Sequence, residues 1–258
     1  RPRHGQRAGH RAAPPAAAGP VVGRHVVLAL LQHSPARIRR IWCWSRDRDF
    51  YNQIVGLAAA QNIPLLAQPP ADAVWSDHIA QGVAADVRPF AYADLDDVVP
   101  STGAAPGTLL LVLDSITDAR NLGAILRSAA FFSVDAVILP SDRAAGVSPV
   151  VERIARGATA TLPIVQVVNL ARTLRLLADR GVEIAGTVVA PTAQDLWQLS
   201  SDQPLAIALG AEDRGLRPLL QKQCTRLITL AGGPGMDSLN VASFASVALA
   251  AVRRPSRG

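Results

Sequence analysis

Three polar blocks in the C-terminal half of the chain hold the residues best suited to chemistry, and they come in a definite order. The first is Asn121-Leu-Gly-Ala-Ile-Leu-Arg-Ser-Ala129, the second Gly210-Ala-Glu-Asp-Arg-Gly215, and the third Ser238-Leu-Asn-Val241. Each stands where an apolar run gives way to a loop or a helix. In open α/β sheets, ligands bind in the crevice outside such carboxyl ends of strands.

In the first block, Asp114 ends an apolar run and Asn121 opens a helix, where an Asn side chain can cap by accepting from backbone N–H groups. Gly123 permits close backbone approach. Arg127 follows Asn121 by roughly one and two-thirds turns, so the two can share one rim. A guanidinium among Leu126 and Ala129 is costly to bury without an anion, and a salt bridge to Asp114 is the competing structural role. In the second block, Gly210 and Gly215 let the backbone turn sharply around Glu212 and present amides. A solvated loop acid would explain Glu212 equally simply. In the third, Ser238 is a good helix cap. Asn240, placed inside the first turn, is a poor helix former there and is left unexplained by capping.

Several chemistries are missing. No Gly-x-Gly-x-x-Gly follows the first strand of this half, which disfavours a dinucleotide-dependent oxidoreductase. All five histidines precede residue 79, so the C-terminal half has no histidine for acid–base catalysis. Cys43 and Cys224 lie far apart with no Cys-x-x-Cys spacing, so neither a disulfide scaffold nor a metal site is expected, and a reducing cytoplasm fits. No apolar run reaches bilayer length.

The elements that must position these blocks fall into two α/β units. Residues 21–91 form the smaller, with helices predicted at 23–32 and 49–61 and strands at 37–42, 63–66 and 82–87. Residues 92–107 read as a turn-rich linker. From 108 to 254 strands are predicted at 109–113, 136–139, 162–165, 183–189, 205–209 and 226–230. Helices are predicted at 122–132, 149–156, 170–179, 218–223 and 239–252. Strands apolar throughout and separated by helices indicate a parallel sheet covered on both faces. The last helix, apolar almost all round, has to be buried in the sheet packing or in a subunit interface.

The chain carries a formal net charge of +6, supplied almost wholly by arginine, since Lys222 is its only lysine. Arg1, Arg3, Arg7 and Arg11 lie with no acid in residues 1–20, which read as a disordered basic leader. A basic balance favours a phosphate-rich partner.

Together the three blocks resemble the signatures of the SpoU (TrmH) family of RNA ribose 2′-O-methyltransferases: Asn121-x-Gly123-x-x-x-Arg127-x-Ala129, Gly210-x-Glu212-x-x-Gly215 and Ser238-Leu-Asn-Val241. The likeness extends through Asp142-Arg143, Gly157-Ala158 and Asn169-Leu-Ala-Arg-Thr173, and to Val22-Gly23-Arg24-His25 at the opening of the small unit. It is strongest to the bacterial enzymes that methylate a guanosine of 23S rRNA. A tRNA-directed enzyme or a non-catalytic RNA-binding paralogue is the alternative.

The resemblance implies a SPOUT-type α/β domain with a deep trefoil knot, an exception to the rule that chains do not thread. It further implies a small N-terminal RNA-binding domain and a cytoplasmic homodimer built through the knot and the C-terminal helix. Its cofactor is S-adenosylmethionine, its partner 23S rRNA or a ribosomal assembly intermediate, and it uses no metal. By position, Gly210, Leu230, Leu239 and Thr187 are expected at the cofactor. Arg127, with Asn121, Glu212, Ser238 and Asn240, is expected at the reacting ribose, and Arg24, Arg127 and Arg143 against RNA. Arginine stays protonated in proteins, so an orienting, charge-stabilising role suits Arg127 better than that of a base. The chain departs from the family pattern at Leu230-Ala231-Gly232, at Pro234, at Ala160 and at Ala80-Gln81-Gly82.

Overall fold

The computed structural model describes residues 19–73, 75, 77–199, 203–233 and 238–253. The leader and Pro234 lie outside the described residues, apart from Gly19 and Pro20 at the leader's end. The first sheet is built from β1 (Val21–Val22), β2 (Ile38–Cys43), β3 (Leu65–Leu66) and β4 (Val83–Val87) in the order β1-β4-β2-β3. It is mixed, with β4 antiparallel to both neighbours and β3 parallel to β2. Helices α1 (Arg24–His33) and α2 (Arg48–Ala60) cover one face. Val26, Val27, Leu30 and Leu31 of α1 pack there with Phe50 and Ile54 of α2 and with Ile41, Val83 and Ala85 of the sheet. A short α3 (Asp77–Ala80) leads into β4.

Residues 92–107 are more ordered than a turn-rich linker would be. Ala93 bridges to Val165, α4 (Leu95–Val98) follows, and Val99 is fully buried. Arg180 ties this segment down, bonding the Val99 carbonyl and, at 2.6 Å, the Asp96 carboxylate.

The large sheet contains β5 (Leu109–Leu113), β6 (Ala136–Pro140), β7 (Ile164–Val167), β8 (Glu183–Thr187), β9 (Gln194–Asp195), β10 (Leu205–Leu209) and β11 (Arg226–Thr229). All its pairings are parallel, in the order β7-β6-β5-β10-β8-β11-β9. The period-2 alternation of a strand explains why β5 must be apolar throughout. Leu109, Leu111 and Leu113 point into one hydrophobic layer with α5 (Ala119–Phe131), α6 (Pro149–Ile154) and α9 (Val241–Val252). Leu110 and Val112 point into the other, with α7 (Leu170–Asp179) and α8 (Pro218–Gln221). The α/β expectation with a large parallel sheet and a smaller N-terminal unit holds. The closing helix finds its cover within the chain, against α5 and the sheet.

Boundaries moved where local chemistry overrode periodicity. Asp118, not Asn121, caps α5, accepting from the Arg120 N–H at 2.7 Å, so Asn121 lies inside the first turn. Asn240, not Ser238, caps α9, its Oδ1 accepting from Ala242 and Ser243 N–H. Gly157 ends the α6 region at φ 93°. A Cβ there would lie 2.4 Å from the Ala29 Cβ, so the two units meet at a point only glycine allows. Beside it Arg37 grips Glu152 at 2.9 and 3.0 Å, with Glu152 buried and also accepting from Thr159. Ser34 donates to the Ala160 carbonyl at 3.0 Å across the same seam.

Candidate active site

The three polar blocks converge at the carboxyl edge of the large sheet. Asn121 on α5, Glu212 in the turn after β10 and Asn240 at the start of α9 form one hydrogen-bonded set. The Asn121 amide donates to Glu212 Oε1 at 3.1 Å. The Asn240 amide donates to Asn121 Oδ1 at 3.0 Å and to the same Glu212 oxygen. The Val241 backbone N–H completes the set, reaching Glu212 Oε1 at 3.0 Å. A carboxylate accepting several N–H donors is bound by charge-assisted hydrogen bonds, stronger than neutral ones. Asn240 thus does two jobs, its oxygen capping α9 while its nitrogen holds Glu212 and Asn121.

The turn carrying Glu212 is fixed from two sides. Gly215 N–H bonds the Ala211 carbonyl at 2.8 Å, closing Ala211–Gly215 into a tight loop at φ +63° for Gly215. Gly210 passes so close beneath it that an added Cβ would lie 2.0 Å from the Gly215 carbonyl carbon and the Leu216 nitrogen. No side chain fits there. At the loop's far end, Arg217 binds the fully buried Asp114 at the end of β5.

Beside this set lies a cleft of about 720 Å³, within the usual range for small-molecule sites. Its walls are the segments 187–190, 209–216 and 229–233 with Ser238, Leu239 and Val241, and with Leu227 and Phe244 behind them. Thr187, Gly210, Leu230, Ser238 and Leu239, all expected from the sequence, line it together with Glu212 and the divergent Ala231-Gly232. Thr187 Oγ1 donates to the Ala208 carbonyl at 3.0 Å, so its hydroxyl braces β8 against β10. Sequence reasoning passed over Val188, Val189 and Ala190, although the rule that ligands sit at strand carboxyl ends pointed to them. Val189 is 77% exposed, an apolar side chain presented to the cleft. Arg217 was also missed, its partner being 103 residues away.

The arginines lie elsewhere. Arg127 is neither buried nor paired with Asp114, whose carboxylate belongs to Arg217. It is exposed, without an ion pair among the described residues, beside a shallower depression of about 380 Å³ that it shares with Ala124, Ser128, Phe131, Phe132 and Ile154. The structure therefore does not place Arg127 on the walls of the large cleft. Gly123 serves helix packing, since its Cβ would lie 2.6 Å from Ile154 Cβ on α6. Arg24 is committed to Asp47 at 2.7 Å and Ser45 at 2.9 Å, and its guanidinium lies 4.5 Å over the Phe50 ring. Arg143 pairs with its neighbour Asp142 at 3.4 Å and is exposed. Among the described residues no group of three metal-ligating side chains is assembled, and no helix is long and apolar enough to cross a membrane.

Two family models match. Residues 108–250 match the SpoU rRNA methylase family, and residues 20–93 match the RNA 2′-O ribose methyltransferase substrate-binding domain. The chain is 38% identical over 234 residues to the 23S rRNA (guanosine-2′-O-)-methyltransferase RlmB of Pseudomonas putida, covering 89% of this chain and 93% of that one. It is 35% identical over 241 residues to an uncharacterized tRNA/rRNA methyltransferase of Mycobacterium avium, covering 92% and 78%. Among solved structures, the SpoU methyltransferase AviRb of Streptomyces viridochromogenes, in complex with AdoMet, superposes with a TM-score of 0.74 at 21% identity. That match covers 91% of this chain and 89% of the other. A TrmH-family protein of Porphyromonas gingivalis gives 0.73 at 23%, over 92% and 90%. With both its parts matched and its three polar blocks assembled at one sheet edge, the chain belongs to the SpoU rRNA methylase family.

Proposed function

We propose that the chain transfers a methyl group from S-adenosylmethionine to the 2′-hydroxyl of a guanosine in 23S rRNA. The observation that carries this reading is the convergence of Asn121 and Asn240 on Glu212, which lines a cleft walled by backbone and apolar side chains. The cleft fits the cofactor chemically. Leu209, Leu227, Leu230 and Phe244 offer an apolar bed for a purine, and the loops 210–216 and 229–233 offer main-chain polar groups. Glu212 and Asp213 place two carboxylates on a wall that would face a cationic ligand. S-adenosylmethionine, when bound, supplies an activated methyl on a sulfonium.

The protein's task is then mainly to hold the two reactants in line. Asn121 and Asn240, locked by Glu212, would hold the ribose edge. Ser238, exposed on the rim, would add a hydroxyl contact. Arg127 would work from outside the cleft, orienting the RNA backbone and countering negative charge as the hydroxyl loses its proton. Its depression includes Phe131, 80% exposed, a surface that a second copy of the chain would cover in a homodimer formed through α5 and α9. The trefoil knot of the family fold and a cytoplasmic location belong to the same reading, as does an rRNA or ribosomal assembly intermediate as partner.

The test is transfer of labelled methyl from S-adenosylmethionine to 23S rRNA and, in parallel, to tRNA, both prepared from a strain lacking the gene. Methylation of one guanosine ribose in 23S rRNA is expected. Transfer confined to tRNA would move the substrate, and no cofactor binding at millimolar concentration would overturn the enzyme.

A further inference from the structure

The outer face of the small sheet, opposite α1 and α2, carries among the described residues only the short α3 and Trp75, and its residues are unlike those of an ordinary exposed sheet. Register fixes which side chains share it. Arg40 pairs with Asp86 and Trp42 with Ala84, so these four point the same way. Val22, Ala84 and Ala80 form a small apolar floor on this side, and the rings of Trp42, Trp44 and Trp75 pack on it without being fully buried. Trp42 and Trp75 lie 6.1 Å apart at 44°, and Leu66, 44% exposed, extends the apolar strip onto the edge strand.

Arginines of β2 stand beside this strip. Arg40 is half exposed and held toward Asp86 at 3.3 Å. Arg39, next to Arg40 at the β2 bulge, is exposed and makes no ion pair among the described residues. Asp86, the acid paired opposite on this face, is engaged by Arg40. Tryptophan rings next to unneutralised arginines are what unpaired nucleic acid requires, with bases stacking on the rings and phosphates meeting the guanidinium groups. A duplex keeps its bases stacked inward and offers only phosphates and groove edges.

We propose that this face is a stacking platform for an unpaired base of the RNA substrate, with Trp42 as its centre. The inference rests on the reading that the chain acts on RNA. It extends that reading by stating how the small domain recognises its target: the region next to the methylated nucleotide is single-stranded, a loop or bulge.

The experiment compares binding of the full chain to a short unpaired oligoribonucleotide and to a blunt RNA duplex of the same sequence. Trp42→Ala is expected to weaken binding of the unpaired RNA about tenfold, the loss of one base stack. Trp42→Phe is expected to restore most of it, and the duplex affinity to stay unchanged. Quenching of the unaltered chain's tryptophan fluorescence by the unpaired RNA gives a second measurement that does not depend on a variant folding. Equal losses for both RNAs, no loss for either, or no quenching would overturn the platform. Trp42-dependent binding by a chain that transfers no methyl would instead sink the enzyme reading and leave the platform standing.

Discussion

Asp114 and Arg217 join the end of β5 to the loop that carries Glu212. The Asp114 carboxylate is fully buried and accepts from Arg217 Nε at 2.8 and 3.0 Å and from its backbone N–H at 3.2 Å. Truncating Arg217 would leave a buried charge without its guanidinium. Breaking buried pairs costs roughly 3–5 kcal/mol. Because the Arg217 side chain is 41% exposed, water can partly replace it, and a loss of about 2 kcal/mol is the better expectation. Urea denaturation of Arg217→Ala should register that loss. The same variant should bind S-adenosylmethionine several-fold more weakly, because the 210–216 wall loses its anchor. Unchanged stability and affinity would mean the loop holds its shape without the pair.

Glu212 makes a sharper case because one oxygen serves three donors. Glu212→Ala would take the acceptor from the Val241 N–H and the Asn121 amide, and leave the Asn240 amide only its bond to Asn121 Oδ1. Hydrogen bonds to a charged group contribute about 1.5–3 kcal/mol each. The expected result is a fall in methyl transfer of about a hundredfold or more, with S-adenosylmethionine affinity reduced less. Glu212→Gln keeps a carbonyl oxygen for the donors and should recover part of the binding. Calorimetry and single-turnover transfer separate the two effects, and a Glu212→Ala enzyme with ordinary turnover would remove Glu212 from the working set.

Apolar strands announced the parallel sheet, because a strand buried on both faces leaves no polar position and β5 reads Leu-Leu-Leu-Val-Leu. The polar set was legible as three blocks but not as one object. Asn121 meets Glu212 across 91 residues and Asn240 across 119, and no local pattern encodes such distances. Local rules also misassigned two caps. Asn121 looked like a capping residue because Asn often is, but Asp118 stood three positions earlier and took the role. Asn240 looked misplaced in a helix interior because Ser238 was credited with the cap. Once Asn240 is the cap, its identity follows from needing an acceptor for α9 and a donor for Glu212 in a single side chain. The competing role weighed for Arg127, a salt bridge to Asp114, does not form, since its helix presents one apolar stripe and Arg127 lies off it, exposed.

Arg127 tests the division between binding and transfer. It makes no ion pair among the described residues and lies off the cleft wall, so Arg127→Ala should leave S-adenosylmethionine affinity within about twofold while turnover falls about a hundredfold, the scale of losing one charge-stabilising donor. Isothermal titration with the cofactor and steady-state transfer to RNA check the two halves. Near-full activity in the variant would reduce Arg127 to a surface cation.

The last prediction concerns alkaline pH. Burial pushes the Cys224 thiol up from 9.0 to about 11 and also raises the Tyr92 phenol. The Cys224 sulfur sits beneath Gly186, where an added Cβ would lie 2.4 Å from it, and donates to the Leu220 carbonyl at 3.3 Å. The fold thus favours the neutral thiol, whereas the unfolded chain ionises near 9. The sign follows from linkage: the unfolded state binds fewer protons above that pH, so stability falls as pH rises. The thiol's contribution is complete below pH 9, declines between about 9 and about 11, and is flat beyond. Melting temperatures across that window should fall more steeply for the unaltered chain than for Cys224→Ala, which has nothing to ionise there. Parallel slopes would show that Cys224 is more open to water than its packing against Gly186 implies.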